Sequence, residues 1–502
     1  MQPDLQNGAS ITRSFCTGAL RSVRTWAVAL VACALALMWS SQITDSRIES
    51  DAQQSTHMAV NLARHGVMSL DESAPYHPTN FREPVPVLVT ALGVWILDSI
   101  LGPCAPDDYL EGPRAKYLKY QNFFWLGLLS ISAFVAARTL TSSFWLALFA
   151  VILVNRPLLP QQEQLGPVDN LLTELPATAL LLPASILLAI AFTNRKWSAY
   201  VLAGVLFGIF GLIKAIGIYV FLGVLPVLAC LYALQQPAIP WRIAARDLGV
   251  LMASFACVLA PWIVRNHILL DSYQITQRGG ESLFERALED QMTDDEFLGT
   301  FYIWGHPGPF HDWLGKKLQL SESDLLRGGR LQRLNSDFST SLSRVDRDTA
   351  VDDGRPDQAI TLFRKAQAQR TRLEREFAAA GSPQPQVAAE EQLYRLATTM
   401  ISQHPLRHLK LTAAFMWRGA PLAFAILSAA IFFGLLRRRY DLLLFSLPAI
   451  GIVMAYSLFT PFFWRYGWPS RLVATVTAVA LIKLIWDLIP VRRTAPVATR
   501  PN

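Results

Sequence analysis

Ten residues of this chain have the types needed for acid–base and anion chemistry, and sit where a membrane protein rarely places charge. They are Glu49, Asp51, Arg82, Glu83, Asp169, Glu174, Lys214, Arg265, Arg465 and Arg471. On a positive-inside topology they converge on the outer face, at membrane depth or at span ends, where an ionisable side chain is costly and so points to function. Glu49-Ser50-Asp51 follows the first long apolar run directly. A carboxylate there can take a proton from an attacking hydroxyl. Nearby cations can hold a phosphate and stabilise it as it leaves. A phosphate ester at a sugar's anomeric carbon is already a good leaving group, so no separate general acid is required. These residue types permit such a reaction without specifying it.

What must position them is a membrane scaffold. The 502 residues are 52% hydrophobic and 17% charged, with a mean hydropathy of +0.29. Soluble domains carry about a quarter charged residues. The net charge of +7 is not a nucleic-acid signal, because Lys and Arg cluster between apolar runs as the positive-inside rule requires. The five cysteines, Cys16, Cys33, Cys104, Cys230 and Cys257, form no disulfide or metal pattern. The first apolar run, roughly 20–39, reads as a span rather than a cleaved leader, since no small-residue cleavage site follows it.

Arg13, Arg21 and Arg24 place the N-terminus inside, so Glu49 and Asp51 emerge outside. Residues 51–65 carry apolar positions at helical spacing and stop at Gly66. Val85–Leu101 is apolar but contains Pro86, Gly93 and Asp98. If it does not span, the later spans run near 120–137, 143–159, 171–193, 198–213, 216–233, 248–264, 411–436, 441–460 and 468–489. Arg138, Arg195-Lys196, Arg242 and Arg246, Arg437-Arg438-Arg439 and Arg492-Arg493 then all face inward. The segment therefore reads as an interfacial or re-entrant helix. The run 198–233 would be roughly 50 Å long as one helix, so it divides near Lys214.

The expected fold is all-α: about ten transmembrane helices, interfacial helices in the first outer loop (41–119) and a mostly helical extramembrane domain. The expected divisions are an N-terminal module at 1–265, an outer domain at 266–408 with a surface helix near 358–377, and C-terminal spans at 409–502. The loop 161–170 faces outward with Asp51.

The order of these pieces resembles the GT-C superfamily of integral-membrane glycosyltransferases, in particular the group that uses polyprenyl-phosphate sugars and includes protein O-mannosyltransferases and the lipid A aminoarabinose transferase. The pieces are ESD (49–51), NLARHG (61–66), FREP (81–84), DNLLTE (169–174), GLIKAIG (211–217), APWIVRN (260–266), RGGESLF (278–284), ISQHPLRHL (401–409) and WRYGWPSR (464–471). No single piece is specific; the order over some 450 residues carries the resemblance.

The resemblance implies an inverting enzyme that moves a sugar from a lipid-linked donor to a glycan, lipid or protein acceptor. It would work at the outer face of a bacterial inner membrane, with no nucleic-acid partner. Asp51 then matches the catalytic base, Glu49 its acidic companion and Asp169 a second outer-loop acid. Arg82, Lys214 and Arg465 would grip the donor phosphate, with Glu83 partly cancelling Arg82. No cofactor is assigned. Glu49, Asp51 and Asp169 could coordinate a divalent ion through waters, but lone carboxylates do not establish one.

Plainer readings stand beside each of these. Asp51 with Gln54 fits a capping box. Asp169 suits a helix N-cap, and Glu174 a helix dipole. Lys214 and Arg465 could snorkel, while Arg265 and Arg471 anchor span ends. His404 and His408 lack a third metal ligand. Trp464 and Trp468 suit an interfacial belt, and Trp304 and Trp313 suit the core of the outer domain. A transporter or lipid-linked glycan flippase would also place charges in such a bundle, though with paired repeats and mid-bilayer charges.

Overall fold

In the computed structural model, which describes residues 7–156, 168–235, 239–305, 308–335 and 351–489 (7–22 as backbone alone), every regular element is helical. The chain enters as α1 (Asn7–Gln42), then builds a loop from α2 (Asp51–His65), α3 (Pro84–Leu101) and α4 (Pro113–Lys119). Six helices follow to and fro: α5 (Asn122–Thr141), α6 (Phe144–Asn155), α7 (Glu174–Asn194), α8 (Trp197–Ile213), α9 (Ile216–Leu234) and α10 (Trp241–Leu270). An extramembrane layer holds α11 (Gly280–Glu289), α12 (Asp294–Ile303), α13 (Pro309–Leu318), α14 (Leu362–Ala379) and α15 (Pro385–Gln403). The chain returns through α16 (Pro405–Gly419), α17 (Pro421–Leu436), α18 (Tyr440–Phe459) and α19 (Trp468–Leu488).

Among the described residues, seven helical stretches are long and apolar enough to cross a membrane, or eight if α16 and α17 count as one. This is a polytopic all-α membrane fold. The expected count of ten is not reached on length and hydropathy. α6 and α8 are apolar but short, and α19 carries Arg471, Lys483 and Asp487. The expected single span at 411–436 is instead two helices bent by 106°. Gly419 ends the first and Pro421 starts the second, and a proline with no N–H suits the first turn of a new helix. Arg492-Arg493 and residues 161–167 lie outside the described residues.

α7 is the hub. It is buried along its length against α5, α8, α18 and α19. α8 lies tightly on α10 because its facing positions are glycines: a Cβ on Gly204 would fall 2.5 Å from the Leu251 carbonyl oxygen, and one on Gly208 would fall 2.7 Å from the Val258 Cβ. Small residues allow this backbone approach in membrane bundles.

The two ends of the bundle differ. At one end the basic turns converge. Arg439 donates to the Leu140 carbonyl (3.0 Å), Arg195 to Gln235, and Phe192 meets Tyr440 ring to ring at 5.8 Å. The opposite end carries the loop of α2, α3 and α4.

α3 is long and apolar enough to span, yet both its ends are tied to that loop. Arg82, just before it, bonds Asp51 at the start of α2. Asp98, near its far end, bonds Arg64 at the end of α2 (2.9 Å) and accepts from Tyr109. Ile48 N–H then donates to the Leu110 carbonyl (2.7 Å) and Gly112 N–H to the Asp45 carbonyl (2.9 Å). α2 and α3 thus run side by side and parallel, and the chain beyond α3 returns to residues 45–48. That geometry fits a helix lying along the bundle end, with Leu88, Leu92, Trp95 and Ile100 turned outward.

Candidate functional site

Asp51 opens α2 at the centre of the loop end. Its side chain does not cap the helix: the N-cap is Ser50, and no side-chain cap bond forms. Instead the carboxylate meets three guanidinium groups from distant parts of the chain. Arg82 and Arg278 reach Oδ1 at 3.1 and 3.0 Å, and Arg465 reaches Oδ2 at 3.2 Å. Gln54 turns to Arg82 rather than to the helix start. The side chain of Asp51 keeps 27% of its exposure and those of Arg278 and Arg465 29%, while that of Arg82 keeps 6%, so the carboxylate and two of its cations face an opening with Arg82 buried behind them. Burial alone would raise its pKa, but Arg278 and Arg465 outweigh this and hold the group below its ordinary value.

A second ion pair adjoins the first. Lys214 sits in the break between α8 and α9, where its Nζ donates to Glu174 Oε1 and the Tyr456 hydroxyl, both at 3.0 Å. Its ammonium lies 4.9 Å from the Tyr466 ring centre, and the Arg465 guanidinium covers the same ring at 5.1 Å. Tyr466 therefore joins the two clusters. Glu83, at the N-cap of α3, is pushed up by burial, with Asp51 adding to the effect and Lys214 opposing it. Four cations thus meet three carboxylates, one of them biased toward its neutral form. The excess of positive charge suits an anion.

Arg278 was given no role from sequence, and Glu174 no partner. Arg278 lies well beyond the end of α10, in a segment rich in charge. Its signal is the Gly-Gly that follows. Gly279 has φ +149°, and a Cβ on Gly280 would stand 1.9 Å from the Glu390 carbonyl oxygen. Glu390 Oε2 accepts the N–H groups of Gly279 (3.2 Å) and Glu281 (3.0 Å), an anion at a helix start. This close seat of α11 on α15 brings Arg278 down onto Asp51.

The structure brings together Asp51, Arg82, Lys214 and Arg465, but not Glu49 or Asp169. Glu49 is exposed and makes no ion pair among the described residues. Asp169 is buried in a separate lock. Its carboxylate accepts from Thr44 N–H (2.7 Å), Thr44 Oγ1 (2.6 Å), Ser46 Oγ (2.8 Å) and Lys119 Nζ (3.0 Å). It is not an N-cap, because α7 starts five residues later with Thr173 as its cap. The three acids do not gather as metal ligands, and no group of three or more His, Cys, Asp or Glu among the described residues is arranged to hold a metal ion. Arg265 and Arg471 bond the carbonyls of Thr79 and Gly419. His408 pairs with Asp290 at 2.6 Å. Trp304 packs under Arg418 in the core, whereas Trp313 is exposed.

A further charged cluster lies along α11. Glu285 and Glu289 are buried one turn apart, and Glu289 faces Arg418 at 3.5 Å. Burial pushes Glu285 well up and Glu289 to about 7, with Arg418 pulling each back. Arg418 also donates to the Pro461 carbonyl (3.2 Å), at the root of the turn that carries Arg465.

No family model matches the sequence, and no curated protein matches it. Among solved structures, the chain is similar to ArnT from Cupriavidus metallidurans in the apo state, at 13% identity and a TM-score of 0.37, over 90% of this chain and 78% of that one. A likeness at that level carries no argument about this chain.

Proposed function

We propose that the chain is an inverting glycosyltransferase. It would transfer a sugar from a polyprenyl-phosphate donor to a hydroxyl or phosphate oxygen of a glycan, lipid or protein acceptor, at the outer face of the inner membrane. The observation that carries this reading is the carboxylate of Asp51, partly exposed, among Arg82, Arg278 and Arg465 and beside Lys214 at one end of an apolar bundle. The positive-inside rule supports the outward orientation, since the opposite end carries the basic turns.

Asp51 with both oxygens on arginines is a weak base. A donor phosphate is a stronger partner for the same guanidiniums. In this reading the phosphate takes over Arg278 and Arg465 when the donor enters. Asp51 then loses its stabilising cations, and its proton affinity rises toward that of a working base. The acceptor oxygen attacks the anomeric carbon opposite the phosphate and gives its proton to Asp51. The carbon–phosphate oxygen bond breaks, and the polyprenyl phosphate leaves onto the cations. Attack from the opposite face inverts the carbon. Asp169 serves by position, locking α7 to the loop that carries Asp51.

The test is Asp51→Asn with a lipid-linked sugar donor, in protein shown to be folded in the membrane. The reading expects transfer to fall by roughly 10²–10⁴-fold, the usual worth of a general base. Full activity in the variant would rule out the assignment. A flippase is the other reading, favoured by the helix break at Lys214 with its buried partner Glu174. That break divides two helices of 17 and 19 residues, each of near-spanning length, so it lies at a bundle end rather than at mid-bilayer.

A further inference from the structure

Only Ala420 separates α16 from α17, yet their axes differ by 106°. α17 packs along α18, a helix of spanning length. α16 must therefore lie close to the membrane plane, at the depth where α17 enters. One face of α16 turns inward: Leu411 and Phe415 are buried, and the His408 carbonyl receives Arg286 of α11. The opposite face carries Leu406, Leu409 and Ala413 at helical spacing, with Leu406 81% and Leu409 60% exposed. α13 adds Phe310 and Trp313, 54% and 51% exposed, whose rings stack at 5.6 Å. The Phe310 ring also meets Trp417 of α16 at 5.7 Å, so the two helices present one continuous apolar surface. Water is a poor neighbour for a patch of this kind.

The rim of the patch fits a bilayer boundary. Lys317 Nζ stands 4.9 Å over the Trp313 ring, and Lys410 Nζ stands 5.4 Å over Phe297. Long cationic side chains behave this way where an apolar face meets headgroups. Lys410 pairs with Asp294 at 2.9 Å, and Asp312 lies one turn from Lys316 on α13, so acidic groups stand among these cations.

We propose that the face built by α16 and α13 is immersed in the headgroup–acyl boundary of the leaflet on the side of the site, with the lipids of that leaflet as its occupant. The site gains a fixed depth from this. α16 holds α11 through Arg286, and α11 follows directly on Arg278. α16 also holds Pro461 through Arg418, and that turn carries Arg465. Two of the three guanidiniums on Asp51 are thus hung from an element seated at the level of lipid phosphates. The immersion itself does not depend on the reaction assigned to the site.

The experiment uses the full chain with Cys16, Cys33, Cys104, Cys230 and Cys257 replaced by Ser, reconstituted in phosphatidylcholine vesicles. Leu406→Cys, Leu409→Cys and Phe310→Cys each carry a nitroxide, and collisions with oxygen and with a water-soluble nickel chelate are compared. Ile131→Cys on the lipid face of α5 and Arg395→Cys on the exposed face of α15 bracket the scale. The inference expects all three labels to favour oxygen, between the two controls, and to do the same in phosphatidylglycerol vesicles. Nickel accessibility equal to that at Arg395→Cys overturns it. Protection from both reagents also overturns it, because protein, such as a second copy of the chain, would then cover the face. In the protein with its native cysteines, brominated phosphatidylcholine should quench a fluorescence component that Trp313→Phe removes; no such difference would count equally against immersion.

Discussion

Arg278 contributes differently from a simple phosphate anchor, because it also sets the charge state of Asp51. Removing it raises the pKa of the free carboxyl, since a lowering influence is lost. A base must be ionised to work. Arg278→Ala should therefore move the acidic limb of the kcat/KM profile to higher pH and raise the donor KM by roughly ten- to hundredfold, the worth of one charged hydrogen bond. Arg278→Lys should keep more of the limb position than of the KM. A variant with a raised KM but an unmoved limb would separate Arg278 from Asp51. Glu289 makes a second prediction at this scale. Its folded pKa is raised to about 7 by burial, above that of an unfolded glutamate near 4.3. The folded state therefore binds the proton more tightly, and this group's contribution to stability falls as pH rises from about 4.3 to about 7. Glu289→Gln should flatten that part of a thermal-unfolding profile; an unchanged slope would refute the assignment.

At the scale of elements, the lock of Asp169 and Lys119 decides whether α1, α4 and α7 keep their places around α2. The Lys119 side chain has no exposure and that of Asp169 has 7%. Breaking such a pair from one side costs about 3–5 kcal/mol. Asp169→Ala should lower the unfolding temperature or the yield of inserted protein far more than Glu49→Gln, and adding Lys119→Met should restore part of the loss. The sequence makes some elements plain and hides others, for reasons visible in particular residues. α2 is legible because its spacing and Gly66 are local signals, and helix 51–65 emerges with those bounds. The expected surface helix at 358–377 emerges as Leu362–Ala379, its start set four residues later by Thr361, whose side chain caps it. The bend at Gly419–Pro421 is hidden in a run that hydropathy reads as continuous. The exposed face of α16 becomes meaningful only once that bend turns it across the membrane. Arg278 is hidden because its meeting with Asp51 spans 227 positions and rests on the seat of α11 against Glu390, which no local pattern reports.

For the whole molecule, the division into two chemically distinct ends follows from charge placement along the chain. Basic turns gather at one end through Arg195, Arg439 and their partners, and the loop of α2 and α3 gathers at the other with Asp51, Lys214 and Arg465. Positive-inside topology alone predicts one face for those three site residues. Arg82 ties the start of α3 to Asp51, and Asp98 near its far end ties it to Arg64 of α2, so α3 stays with the loop along its length. The same division separates the two readings of function, because a transferase and a flippase use the same donor and differ in what becomes of it. The direct measurement is to load proteoliposomes of the purified chain with polyprenyl-phosphate sugars labelled in the sugar, supply total envelope lipids and glycans as acceptor, and follow the label together with free polyprenyl phosphate. The account predicts that the label moves to the acceptor fraction with release of an equal amount of free polyprenyl phosphate, and that Asp51→Asn stops both. Label that crosses the bilayer still joined to its polyprenyl phosphate, with no release in either protein, would contradict it.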